Sequence, residues 1–151
     1  MTEMRKLPHG SEMIAPLGLG MGGIQNTPPD EIEAVVKKAI EAGVNFFDLC
    51  AGGAAVYAPF GRAIKGLRDR IYFQLHFGAV YNANGDYGWS RNPDEIRRTF
   101  EWEMGLLDCG YIDFGFLHCV DAESDVDDII SRGILDYVCE LKKQGIVRHI
   151  G

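Results

Sequence analysis

Three residues at the ends of short apolar runs have types that could do chemistry together: Asp48 in VNFFDLC, His76 in RIYFQLHFG and His118 in YIDFGFLHCV. A carboxylate beside imidazoles is a set for general acid–base work, because imidazole titrates near neutrality and a fixed anion favours its charged form. The same three groups, with Cys50 or Cys119 close by in sequence, are acceptable ligands for a transition metal. Nothing in their spacing demands an ion, and no metal ligand is assigned. Each residue also has a structural reading, Asp48 as a local cap and either histidine as a satisfied strand-end residue. Asp48 poses the question most sharply, since Val44, Phe46, Phe47 and Leu49 around it read as a buried strand. An unpaired carboxylate there would be costly, so it must be paired, hydrogen-bonded or functional.

The elements that carry these residues alternate along the chain. APLGLGM (15–21) reads as a short strand, and PPDEIEAVVKKAIEAG (28–43) as an amphipathic helix. In that helix Ile32, Val35, Val36, Ala39 and Ile40 recur on one face, with Thr27 as N-cap, Pro28 in the first turn and Gly43 as stop. VNFFDLC (44–50) is the second strand, and a short helix runs through VYAPFGRAIKGL. The third strand spans 70–78 and is followed by a loop of about 14 residues, long enough to be suspected of function. A helix capped by Asn92, begun by Pro93 and ended by Gly110 leads to a fourth strand over 111–120. Ser124 and Asp127 make a capping-box-like start to one last helix. The acidic residues around them complement its dipole. IVRHIG is the fifth strand.

Strand and helix alternating four times define a parallel α/β chain. Ahead of it, MRKL and EMIA flank the turn-forming residues Pro8, His9, Gly10 and Ser11, a hairpin signal. In parallel α/β folds ligands sit at the carboxyl ends of strands, which is where Asp48, His76 and His118 fall. Side chains two apart share a strand face, so Asp48 accompanies Phe46, His76 accompanies Gln74, and His118 accompanies Phe116 and Phe114. If that face lines a barrel, the three converge at its mouth. Tyr81, Tyr87 and Trp89 in the long third loop would then either rim a pocket or pack the loop down. Trp102 reads as core, and His9 and His149 as surface or structural positions.

Composition bounds the rest. With 151 residues, 46% hydrophobic and 25% charged, the chain has the make-up of one globular domain. A net charge of −7 argues against nucleic-acid and anionic-membrane partners. No apolar run reaches the roughly 18 residues of a membrane span, and the first residues lack the apolar stretch of a secretory signal. The four cysteines (Cys50, Cys109, Cys119, Cys139) show no C-x-x-C spacing. They read as reduced thiols of a cytoplasmic protein.

The segments APLGLGMGG, AIEAGVNFFDLC, GRAIKGLRDRIYFQ, LLDCGYIDFGFLH and LKKQGIVRHIG, in that order, resemble successive segments of the aldo-keto reductase family. The likeness is nearest to the bacterial branch that often carries a ferredoxin-like tail. The resemblance implies the N-terminal half of a (β/α)₈ TIM barrel: a hairpin over 4–15, four βα units over 16–145 and a fifth strand over 146–151. It implies NADP(H) or NAD(H) as cofactor, bound near Gly20, Met21 and Gly22, and a small carbonyl substrate. The family's site uses an Asp, a Tyr proton donor, a Lys that lowers the Tyr pKa, and a His. Carried over by position, Asp48 matches the Asp and His118 the His. Gly53 stands where the Tyr belongs, and His76 stands where the Lys belongs. Tyr57 is the nearest tyrosine in sequence and falls in the first turn of the next helix. Two expectations follow: an oxidoreductase whose activity is impaired in this chain, or a non-catalytic binding or assembly module on the same scaffold. Half a barrel leaves open edges and an apolar inner face, so self-association, as a homodimer, is expected.

Overall fold

The computed structural model describes residues 3–151. A short antiparallel hairpin comes first, β1 (Arg5–Lys6) against β2 (Met13–Ile14), where the PHGS turn signal puts it. Parallel strands then alternate with helices: β3 (Leu19–Gly20), α1 (Pro29–Glu41), β4 (Phe46–Asp48), α2 (Tyr57–Ile64) and β5 (Tyr72–Phe77). An antiparallel hairpin follows, β6 (Ala79–Tyr81) and β7 (Tyr87–Trp89), before α3 (Pro93–Leu107) and β8 (Ile112–Leu117). The chain closes with α4 (Glu123–Ser131), α5 (Ile134–Lys143) and β9 (Val147–Ile150).

In the sheet β3, β4, β5, β8 and β9 lie side by side and parallel, the order of a barrel wound from sequential βα units. Burial along β5 alternates strictly. Phe73, Leu75 and Phe77 are buried beneath the helices, while Tyr72, Gln74 and His76 are half-buried on the lumen side. β4 repeats the pattern, with Phe47 buried between half-buried Phe46 and Asp48. The core lies between sheet and helices, where Phe47, Phe60 and Phe73 meet edge-to-face. Gly115 belongs to that layer, since a Cβ there would sit 2.6 Å from the Phe77 ring. At the foot of β8, wholly buried Asp113 pairs with Arg68 at 2.7 Å and Arg148 at 3.2 Å.

Several expectations are corrected in detail. The long third loop is the β6–β7 hairpin, closed by the Asn82 carboxamide, which accepts from the N–H groups of Asn84 and Asp86. The single last helix is two, parted at Gly133, whose φ of +72° interrupts the helical run. Helix α4 is started by Asp125, which accepts from the Asp121 and Ala122 N–H groups, so Ser124 and Asp127 form no box. Asn92 caps α3 as expected, accepting from Asp94 and Glu95, but the helix ends at Leu107 with Asp108 in the left-handed region rather than at Gly110. Helix α1 begins at Pro29 with Pro28 as its cap, so Thr27 makes no cap bond, and Val35 is exposed although Ile32 and Val36 are buried. Trp102 is 43% exposed, packing its edge on Tyr57 and Tyr81 rather than entering the core.

Candidate active site

Asp48 closes β4, His76 sits one residue from the end of β5, and His118 follows the last residue of β8. The register pairs Asp48 with Gln74 and His76 with Phe116, which brings all three to one level of the lumen. His76 Nε2 lies 3.3 Å from Asp48 Oδ1, and His76 Nδ1 lies 3.1 Å from His118 Nδ1. The sequence-derived trio therefore meets in space. Its exposure is graded: the His76 side chain is 16% exposed and that of Asp48 38%, so the group opens on the lumen face rather than into a closed cavity.

Each side chain is held by backbone. The Cys50 N–H donates to Asp48 Oδ1 at 2.9 Å. Burial alone would raise the Asp48 carboxyl, but hydrogen bonds from His76 and from the Cys50 N–H bring it below the ordinary value. His118 is fixed from two sides: its N–H donates to the Phe77 carbonyl, and its own carbonyl accepts from Arg91 Nη1. The second Arg91 nitrogen reaches the Cys119 carbonyl at 2.6 Å, clamping Cys119 in the left-handed region at φ +52°. Burial, His76 and Arg91 all lower the His118 pKa, and Asp48 raises it, so the ring stays neutral at neutral pH. Gln74 Nε2 approaches His76 Nε2 at 3.0 Å. With the amide turned to present its oxygen, His76 donates to both Asp48 and Gln74.

A fourth group completes the set, and sequence reasoning did not give it this role. The Tyr87 hydroxyl, on the β6–β7 hairpin, lies 2.6 Å from His118 Nε2. Burial and the nearby Cys119 and Cys50 raise its pKa, so the phenol stays protonated. Tyr57, the tyrosine nearest Gly53 in sequence, makes no hydrogen bond to the trio. It stands at the start of α2 as expected, but its side chain is 1% exposed and its hydroxyl meets that of Tyr81 at 2.9 Å, which in turn donates to the Ala51 carbonyl. At Gly53 the backbone is tied to the hairpin tip: Ala54 N–H donates to the Gly85 carbonyl at 2.8 Å, Gly53 bridges to Asp86, and a Cβ on Gly53 would meet nothing nearer than 3.7 Å.

Among the residues expected to hold a cofactor, Gly20 pairs with Asp48 in the sheet, and a Cβ at Gly20 or Gly22 would meet nothing within 4 Å. Met21 is fully buried, so neither its side chain nor its backbone presents surface to a ligand, unlike its exposed neighbours Gly20 and Gly22. Phe114 stacks on His149 at 5.2 Å lower in the lumen, and His149 Nε2 meets Glu12 Oε1 at 2.7 Å. His149 thus ties the N-terminal hairpin to the barrel wall. The larger clefts lie elsewhere, one of about 440 Å³ against α3 and α5 and one of about 370 Å³ between α3 and the β6–β7 hairpin. Neither touches Asp48, His76 or His118, which lie at the carboxyl ends of the strands.

A parallel sheet with helices on its outer side and polar groups gathered at its carboxyl ends is part of a (β/α) barrel of the enzyme type. Residues 16–151 match the model of the aldo/keto reductase family, and the chain belongs to that family. It is 30% identical over 138 residues to "Probable aldo-keto reductase 1" of Glycine max, a match covering 88% of this chain and 38% of that protein. It is 28% identical to L-galactose dehydrogenase of Arabidopsis thaliana, covering 99% of this chain and 47% of that one. The chain thus spans less than half the length of either relative. Among solved structures, an aldo-keto reductase of Bacillus halodurans in its holo form superposes with a TM-score of 0.80 at 22% identity, over all of this chain and 50% of the other. A glycerol dehydrogenase of Gluconobacter oxydans gives a TM-score of 0.72 at 18% identity, over 99% of this chain and 47% of that one. Those two likenesses establish the fold. Among the described residues no helix is long and apolar enough to cross a membrane.

Proposed function

We propose that this chain carries the carbonyl-facing part of an NAD(P)H-dependent oxidoreductase, acting on small carbonyl compounds. The observation that carries the reading is the contact between Tyr87 and His118 at 2.6 Å, at the mouth where Asp48 and His76 also lie. Exposed backbone at Gly20 and Gly22, beside Asp48, fits the close approach of a flat cofactor ring. Gly20 and Gly22 are the groups that would hold it, with buried Met21 anchoring the turn between them. The dihydronicotinamide supplies hydride to the carbonyl carbon when bound. Tyr87 then gives its proton to the developing alkoxide; His118, hydrogen-bonded to the phenol, orients it, and the exposed phenol regains its proton from solvent. Asp48 and His76 are positioning residues that fix the His118 ring. A positioned proton donor contributes typically 10²–10⁴ in rate. Because no cation lowers the Tyr87 pKa, catalysis by this chain alone falls at the weak end of its family.

One observation favours the second reading, a non-catalytic module. Gly53, which carries no side chain, stands where the family's phenol is expected, and its backbone is tied to the hairpin tip at Gly85 and Asp86. Titration of NADPH, followed by its fluorescence, separates the two. The reductase reading expects binding in the micromolar range, and no binding at millimolar concentration leaves the module. In a screen of small aldehydes, Tyr87→Phe is expected to lower reduction roughly 10²-fold or more. Tyr57→Phe, which removes a hydroxyl that touches Tyr81 and none of Asp48, His76, His118 or Tyr87, is expected to lower it far less. Equal loss in both variants would overturn the role given to Tyr87.

A further inference from the structure

Cys50, His76 and His118 each offer one ligand atom, and these atoms lie within 4.8 Å of one another. All three are half-buried, so the group is neither loose at the surface nor sealed from an arriving ion. The two imidazoles face each other through their Nδ1 atoms at 3.1 Å. In a tetrahedral zinc site, bonds of about 2.0–2.1 Å place two nitrogens about 3.3 Å apart, so the rings already stand close to that geometry.

The outward nitrogens carry the second half of the argument. His76 Nε2 faces the Asp48 carboxylate at 3.3 Å, and His118 Nε2 faces the Tyr87 hydroxyl at 2.6 Å. Metal-binding imidazoles are ordinarily oriented this way, with the nitrogen that does not bind the ion hydrogen-bonded to a carboxylate or another polar group. Asp48 also supplies negative charge beside the ion, and Cys50 supplies a second on becoming a thiolate. A thiolate with two imidazoles selects a borderline-soft divalent ion over calcium or magnesium, which prefer oxygen.

We propose that Cys50 Sγ, His76 Nδ1 and His118 Nδ1 form a binding site for one zinc-class divalent ion, leaving a fourth position open to the lumen. Binding displaces the thiol proton to solvent and replaces the His76–His118 hydrogen bond by two metal–nitrogen bonds, the proton of that bond passing to His118 Nε2, which then donates to the Tyr87 oxygen. Tyr87 keeps its contact with His118 Nε2. The existence of the site does not depend on the oxidoreductase reading. Its use does: an ion at the open position would polarise a substrate carbonyl as a Lewis acid, the electrophilic work that neither Gly53 nor His76 performs in place of the usual Tyr and Lys.

Cobalt(II) is the probe. Added to the chelator-stripped protein, it is expected to bind one per chain, with the intense visible bands of a tetrahedral ion and a thiolate-to-cobalt charge-transfer band, and to be displaced by zinc. Cys50→Ser should abolish the charge-transfer band, whereas Cys119→Ser should keep it. Asp48→Asn should weaken binding roughly 10–100-fold by releasing the His76 ring. Should Cys50→Ser fail to fold, X-ray absorption of the zinc-loaded wild type reads the same point, with one sulfur and two imidazoles expected. Weak octahedral cobalt, a band lost with Cys119 instead of Cys50, or an all-oxygen shell would overturn the proposal. These readouts need no NAD(P)H, so failure of cofactor binding leaves them interpretable.

Discussion

Glu103 lies on α3, 2% exposed, close to the Tyr57 hydroxyl and with no hydrogen-bond partner on its Oε1. Burial pushes its carboxyl from 4.5 up to about 8, with Tyr57 pulling the other way. The folded protein therefore holds a proton that the unfolded chain releases near pH 4.5. Where the folded state binds more protons, stability falls as pH rises. Its contribution is complete below 4.5 and is lost progressively up to about 8. At about 1.4 kcal/mol per pH unit, that interval amounts to roughly 5 kcal/mol, a large share of a domain's usual stability. His118, whose folded pKa is lowered from 6.5, works in the opposite sense on the acid side. The uncompensated slope should therefore appear between about pH 6.5 and 8. Urea unfolding across pH 5–9 reads it. Glu103→Gln, neutral and of the same size, is expected to flatten the slope and to exceed the wild type in stability at pH 9. An unchanged slope in the variant would refute the reasoning.

Asp113→Ala is expected to cost about 3–5 kcal/mol in urea unfolding, because Arg68, only 15% exposed, is left without its carboxylate. Arg148→Ala, at 45% exposure, is expected to cost under about 1 kcal/mol. Equal losses would show that the two arginines are not divided by burial as described. Self-association is expected from a lumen lined by half-buried Phe46 and Phe116 and from β3 and β9, each paired on one side only among the described residues. Light scattering that finds a monomer with a cooperative melt at high concentration would set this aside.

The parallel order of the sheet was legible because two periods coexist in the chain. Alternation in YFQLHF and the helical stripe around Ile32 and Val36 each bury one face, and only stacked βα units bury both. The hairpin after β5 was not read, although NANGD between aromatic residues is a turn signal flanked by strand formers. Its strands are only three residues each, too short for alternation to register. The break at Gly133 was hidden for a related reason: an isolated glycine inside a helical stripe is tolerated often enough that its backbone, not the pattern, decides. Trp102 was misplaced because its aromatic neighbours Tyr57 and Tyr81 come from other elements, and the stripe of α3 alone does not show which edge they cover.

The site divides along the same physical line. Asp48, His76 and His118 were found together because each sits at a strand end, and parallel register converts equal position along a strand into proximity. Tyr87 reaches His118 by another route, which no periodicity encodes. The chain reverses at Gly78, whose φ is +120° and where a Cβ would lie 3.2 Å from His118 Cβ and 3.3 Å from the Ser90 carbonyl. That left-handed bend leads from β5 into β6, and the β6–β7 hairpin returns the chain to it, with the Ser90 N–H donating to the Gly78 carbonyl at 2.8 Å. One residue without a side chain thus both permits the turn and leaves room for the histidine that Tyr87 touches. In the proposed reading the phenol absent from Gly53 is supplied by Tyr87 on that hairpin, brought to His118 by backbone geometry and visible only once the strands are assembled.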